Sequence, residues 1–285
     1  MKVSILLCSL FPDMFHRALG NVHETCHGED YEVVAVTPFE VGGERIVWVK
    51  EDTPKGTVQA YDTAYRHSRG AYVFGFNDDS VLQPGWLANV LSFITRREAL
   101  FFPYSCGLHT TPGGVGTLFG LYYPYYHFTG RKSIEAVGGW IRPMFKNHFG
   151  DGDLAMRIWA AGGRNELCAD ARISPVSRRE SLPESVTRNR RDVIYRDIQT
   201  FLGEWGARFG KGWGTNLRDF NIDISAECQK YFMRDHTIMH NSPEFASVSR
   251  IMAHVHEVAR AKGVEVPDDI LSDGGRVQAW LDAHR

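Results

Sequence analysis

Residues 72–87, YVFGFNDDSVLQPGWL, decide how this chain folds. An apolar run of aromatic and β-branched residues, 71–76, stops on Asn77-Asp78-Asp79-Ser80, and Pro84 then opens a helical pattern running to 96. The first half has the make-up of a buried strand, the second that of a helix led by proline. Two adjacent carboxylates at the end of a buried strand repel each other and resist desolvation, so something must hold them. A hard divalent cation completed by phosphate oxygens and water would do so. A solvated turn would too, because Asn, Asp and Ser are common turn formers.

Working outward, short apolar runs alternate with helical patterns on both sides. Residues 3–7, 31–36, 46–49 and 99–104 read as strands, and the stretches around Met14, Leu19 and Val22 and over 57–67 as helices. This alternation predicts a parallel α/β sheet covered on both faces, with ligands outside the carboxyl ends of its strands. Residues 107–130 turn glycine-rich and then aromatic (LYYPYYHF), which predicts a long connection followed by an added strand. An amphipathic helix is expected over 151–161, stopped by Gly162-Gly163. Residues 172–196 hold seven arginines with Pro175 and Pro183 and read as a mobile basic loop. Beyond about 192 the patterns are mainly helical.

Composition bounds the rest. The chain has 285 residues, 43% of them hydrophobic and 23% charged, with a formal net charge of −2. That describes a globular protein with a large core and gives no global basicity to argue for nucleic acid. Its five cysteines are widely spaced with no C-x-x-C pair, the pattern of reduced thiols rather than of a disulfide framework or zinc site. The opening MKVSILLCSLFPD reads as a first strand and not a signal peptide, and no apolar run is long enough to span a bilayer. These features point to a cytoplasmic protein, either free or peripheral at a membrane surface.

Three further constellations are candidates for chemistry. Gly150-Asp151-Gly152-Asp153-Leu154, followed by Arg157, places two carboxylates at a helix start. The helix dipole favours them there whatever their function, but the flanking glycines also open the backbone to a ligand. Gly138-Gly139-Trp140 is either a sugar-stacking wall or a helix C-cap with a packing tryptophan. His236 and His240 stand at i, i+4, as a metal pair or simply as a helix surface.

The order of these pieces resembles the nucleotide-sugar-binding core of family 2 glycosyltransferases with the GT-A fold. The matching positions are Gly56, Ala60, Asp62, Gly70, the strand 72–76, Asn77-Asp78-Asp79 and Pro84-Gly85-Trp86. Downstream, IEAVGGW resembles the family's I-G-G-F segment, GDGDLAMRIWAAGG its E-D-x-D-L-x-x-R segment, and FLGEWG (201–206) a recurrent tail element. The resemblance spans residues 2–206. It implies a GT-A domain over 1–190, with a mostly parallel sheet flanked by helices, and a helical extension over 191–285. It implies transfer, with inversion, of a sugar from a nucleotide-diphosphate donor, UDP-sugar first, to an acceptor hydroxyl on a glycan, lipid, protein or modified nucleic acid. A divalent cation, Mn²⁺ or Mg²⁺, would sit on Asp79 with Asp78 beside it, and Asp151 would be the acceptor base. Ser9, Leu10, Lys55, Gly56, Asn77 and Asp78 would border the nucleotide, with Thr37 where the family commonly has a uracil-reading aspartate. Gly138, Gly139, Trp140, Asp153 and Arg157 would form the sugar and acceptor pocket, Arg157 also holding the Asp151 loop. The family's later histidine ligand has no counterpart in ARISPVSRR, which leaves His236 or His240 as substitutes. A sugar-nucleotide nucleotidyltransferase is the rival enzyme class, although CSLFPDMF lacks the glycine- and arginine-rich phosphate loop it should carry. A non-catalytic carbohydrate- or protein-binding relative is a third reading.

Overall fold

The buried run that ends at Asn77 is the central strand of the molecule. The structure, a computed structural model, describes residues 2–110, 117–118, 121–176, 258–266 and 274–284, together with 193, 196–197, 200–201 and 203–205. Strand β4 (Tyr72–Asn77) lies parallel to β1 (Val3–Cys8), and β1 in turn pairs in parallel with β2 (Tyr31–Thr37). The register puts Cys8 opposite both Val36 and Asn77, so three strands end together at one edge. β3 (Ile46–Lys50) continues the parallel series, with Thr37 opposite Lys50.

On the other side of β4 the sheet changes direction. β9 (His127–Gly130), the added strand, inserts antiparallel between β4 and β6 (Tyr104–Thr110). β10 (Arg164–Pro175) then runs parallel to β6, and the short β5 (Ser80–Leu82) closes the edge antiparallel to β10. The eight-stranded order is β3-β2-β1-β4-β9-β6-β10-β5, with β7 (Thr117–Leu118) and β8 (Leu121–Tyr122) forming a separate two-stranded ladder.

Side-chain alternation sorts the strand residues onto two faces. Leu6, Val34, Val36 and Val73 face α2 (Thr57–His67), α4 (Arg131–Ala136) and α5 (Gly150–Ala160). Val3, Ile5, Leu7, Val33, Phe74 and Phe76 face α1 (Pro12–Thr25) and α3 (Trp86–Arg97). A C-terminal helix, α6 (Gly274–Ala283), packs Trp280 and Leu281 against the first of these cores.

Three expectations change. The strand expected over 99–104 starts only at Tyr104, because the N–H groups of Glu98, Leu100 and Phe101 are taken up by the turn that ends α3, on Ile94 and Arg97 carbonyls. Gly107–Thr110, read as part of a connection, belong to that strand instead. Arg172–Pro175 are not loop: they extend β10, with Arg172 opposite His109 and Ile173 opposite Leu82. Residues 177–192 of the arginine-rich segment lie outside the described residues, as do His236 and His240.

Candidate active site

The common strand edge gathers the residues expected to border a nucleotide. Ser9, just past β1, donates its hydroxyl to Asp78 Oδ2 at 2.5 Å. Arg17 on α1 donates to the Asp78 carbonyl at 2.9 Å. Asp78 is therefore buried and locked, whereas Asp79 is only half-buried and Asn77 is exposed. Asn77 Oδ1 accepts the Tyr61 hydroxyl at 2.7 Å, from α2. Thr37 is buried and its hydroxyl is committed, donating to the Phe39 carbonyl at 2.6 Å and accepting the Trp48 indole N–H at 3.0 Å. Leu10 and Lys55 are exposed at this edge.

Gly56, with φ of 107°, opens α2 by passing against the loop 142–149. A Cβ there would lie 2.2 Å from the Lys146 carbonyl oxygen, and the next residue, Thr57, donates its N–H to Asn147 Oδ1 at 3.0 Å. Only glycine allows both the positive φ and the approach.

That loop carries the chain into α5 and Asp151. Asp151 is half-buried, and its carboxylate accepts the N–H groups of the helix start at itself and Gly152. Burial outweighs those bonds and pushes its pKa up to about 6. Phe149, immediately before the helix, adopts the left-handed region at φ 60° and stacks on Phe201 at 4.9 Å. Such backbone conformations in a non-glycine residue persist where surroundings hold them, and they cluster at functional sites.

Asp153 has a different environment. It is fully buried and takes Arg142 in a two-pronged bond, Arg157 Nε at 2.8 Å and the Trp205 indole N–H at 2.9 Å. Arg157 also donates to the carbonyls of Val137, Gly139 and Trp140, each at 2.7 Å. The two residues expected in a sugar pocket thus fasten the Gly138-Gly139-Trp140 turn to α5. That turn is a C-cap: Gly139 N–H reaches the Ile134 carbonyl and Gly138 N–H that of Glu135, the paired bonds of a Schellman motif. Trp140 is the packing alternative rather than an open wall, buried against Gly75, stacked on Tyr65 and edge-on to His127. Gly138 and Gly139, by contrast, face open space, with no heavy atom within 4 Å of a Cβ at either position.

The pattern reading missed the segment that joins the two halves of the site. In residues 123–127, Tyr126 bonds Ser80 Oγ at 2.6 Å and also Asn77, on the Asn-Asp-Asp side. Tyr123 and Tyr125 lie within electrostatic reach of Asp151, and His127 Nε2 bonds the Asp151 carbonyl at 2.9 Å. The signal was visible as LYYPYYHF, but aromatic density alone does not distinguish a core strand from a site wall.

Residues 28–149 match the family model described as glycosyl transferase family 2. Over that segment the chain is similar to family 2 glycosyltransferases. The match takes in the ends of β2 and β4, the Asn-Asp-Asp turn and the Gly-Gly-Trp turn, but not β1 or Ser9, and it stops two residues short of Asp151. Among solved structures, a mannosyltransferase, PcManGT from Pyrobaculum calidifontis in complex with GDP-Man and Mn²⁺, superposes with TM-score 0.55 at 16% identity, over 99% of this chain and 74% of that one. GalNAc-T7 with UDP, GalNAc and Mn²⁺ gives 0.54 at 11%, over 73% of this chain and 49% of that one. Residues 1–349 of S. aureus TarS with UDP-GlcNAc give 0.51 at 10%, over 100% of this chain and 89% of that one. At such identities the likeness is one of fold, and that fold is GT-A. No curated protein sequence matches the chain. No helix among the described residues is long and apolar enough to cross a membrane.

Proposed function

We propose that the chain transfers a sugar, with inversion, from a nucleotide-diphosphate donor, UDP-sugar first, to an acceptor hydroxyl, with Asp151 as the base. One observation carries this reading. Asp151 stands at a helix start whose surroundings raise its affinity for a proton, while the loop before it also shapes the turn at Gly56 on the strand-edge side. A carboxylate with a pKa near 6 is ionised at neutral pH yet basic enough to draw a proton from an attacking hydroxyl. Gly138 and Gly139 leave backbone space for the donor sugar, and Arg157 with Asp153 keeps that turn in register with α5. We assign residues 1–190 to this catalytic domain and 191–285 to an extension.

The strand edge suits a divalent cation. Two neighbouring carboxylates, one anchored by Ser9 and one nearer the surface, form a small hard-oxygen donor set. Among the described residues no third His, Cys, Asp or Glu joins them, so diphosphate oxygens and water would complete the shell. Asp79, with Asp78 beside it, would hold the Mn²⁺ or Mg²⁺, which when bound supplies charge stabilisation to the departing diphosphate. Asn77 adds hydrogen bonding but no charge.

The test is donor titration and turnover with a panel of nucleotide sugars, with and without Mn²⁺. Asp79→Ala should abolish the metal-dependent part of donor binding in calorimetry; unchanged affinity removes Asp79 from the metal site. Asp151→Asn should bind donor normally and lose transfer by roughly a hundredfold or more. Wild-type turnover in that variant would end the assignment of the base. In the parent protein, kcat should fall tenfold per pH unit below about 6, where Asp151 takes up its proton.

A further inference from the structure

The polar residues buried between β6 and β9 form a chain with one open end. Ser105, His127 and Thr129 are all buried, on strands whose neighbouring side chains are apolar. A buried polar group is costly unless its bonds are completed, so the direction of each bond is constrained. The Asp151 carbonyl can only accept, so His127 Nε2 is the donor in the 2.9 Å bond between them. Burial, aided by the charge of Arg157, pushes the imidazole pKa down to about 3, so the ring is neutral and Nδ1 is an acceptor. Ser105 Oγ, 2.9 Å from Nδ1, must then donate to it, which leaves the Ser105 oxygen to accept the Thr129 hydroxyl at 2.6 Å. Every bond in this row runs one way, from Thr129 through Ser105 and His127 to the backbone of Asp151.

We propose that His127 is a positioning residue: in the tautomer that the Asp151 carbonyl demands and that Ser105, backed by Thr129, satisfies at Nδ1, its Nε2–H seats the first turn of α5 so that the Asp151 carboxylate stays in its half-buried place. The proposal deepens the reading of Asp151 as the base and rests on it for its catalytic meaning, though not for its structural content. Trp140 meets the imidazole edge-on at 6.2 Å between centroids, so the same ring also registers the Gly-Gly-Trp turn against α5. Tyr123 and Tyr125 face Asp151 from the preceding segment, Asp153 and Arg157 share its helix, and Arg142 reaches that helix through Asp153. None of these replaces the bond to the Asp151 carbonyl.

The experiment follows the Asp151 carboxyl carbon by NMR titration of the full-length protein labelled with ¹³C-aspartate, its signal identified by loss in Asp151→Asn. The parent should titrate near 6. In His127→Phe the helix start loses its donor, the carboxylate gains water, and the titration should fall towards the ordinary carboxylate range. Transfer kcat should drop roughly tenfold with donor KM unchanged, and its acidic limb should move with the NMR titration. His127→Gln keeps an N–H donor and should restore most of both; Ser105→Ala, a milder change, should shift both in the same direction by less. A folded His127→Phe with an unmoved Asp151 titration and acidic limb overturns the proposal. Should that variant not fold, an unmoved titration in Ser105→Ala overturns it equally. If instead Asp151→Asn transfers sugar at the parent rate, the base assignment fails, while the NMR titrations still decide whether His127 seats the carboxylate.

Discussion

Asp151 shows how one residue can be placed against its own solvation. The helix start offers it backbone donors, yet partial burial dominates and its proton is held more tightly in the folded chain than in an unfolded one. The folded pKa, about 6, exceeds the ordinary 3.8, so the stability this group lends is complete below about 3.8 and is lost as pH rises through 6. At neutral pH the ionised group therefore destabilises the fold. Asp151→Asn should raise the melting temperature at pH 7.5 by about 2–4 °C and change it little at pH 4. Thermal melts of both proteins at the two pH values check this. Its neighbour Asp153, two residues on, has no such conflict, because three donor side chains meet its oxygens.

At the scale of elements, the loop 142–149 has no helix or strand of its own, yet it is held from several sides. Gly56 and Thr57 press on it from α2, and Gln59 donates to the carbonyls of Arg142 and Phe145. From the far side Asp197 accepts the backbone N–H groups of Lys146, Asn147 and His148. Phe201 stacks on Phe149, Glu204 pairs with Arg142 at 2.9 Å, and Trp205 bonds Asp153. Phe201, Glu204 and Trp205 of the tail element thus grip the approach to α5. Removing the Asp197 carboxylate would strip three buried-side donors of their partner at once. Asp197→Ala should cost about 2–4 kcal/mol in urea denaturation, and amides 146–148 should lose protection in hydrogen exchange before the sheet does. Asp197→Asn, which keeps one acceptor oxygen, should lose less.

For the whole molecule, the sheet that positions the site also sets its tolerance of acid. His127 is held neutral between β6 and β9, with a pKa pushed down to about 3 from 6.5. Its folded value lies below the unfolded one, so the stability it contributes is present above about 6.5 and is lost as pH falls from there towards 3. His127→Gln, with no proton to gain, should show a shallower loss of urea midpoint between pH 7 and pH 4.5 than the parent. Much of the architecture was legible from residues alone, because strands such as 3–7 and 72–76 are apolar on both faces and the intervening helices keep a 3.6-residue period. The Asn-Asp-Asp turn and Asp151 were legible as candidates because paired carboxylates at strand and helix ends demand a reason. What the residues did not disclose depends on partners distant in sequence. Thr37 could not be known to turn towards Trp48, nor Trp140 to bury itself on Gly75, nor Asp153 to be claimed by Arg142 and Trp205. By itself the sequence determined the alternating pattern, and so the parallel part of the sheet with its polar residues at the carboxyl edge, because burial and backbone periodicity are local properties. Only the tertiary structure decided which of those polar residues remain open to a ligand and which are spent on one another. Hydrogen-bond partners are assigned by the meeting of strands β6 and β9, the loop 142–149 and the tail, and those meetings have no signature along the chain.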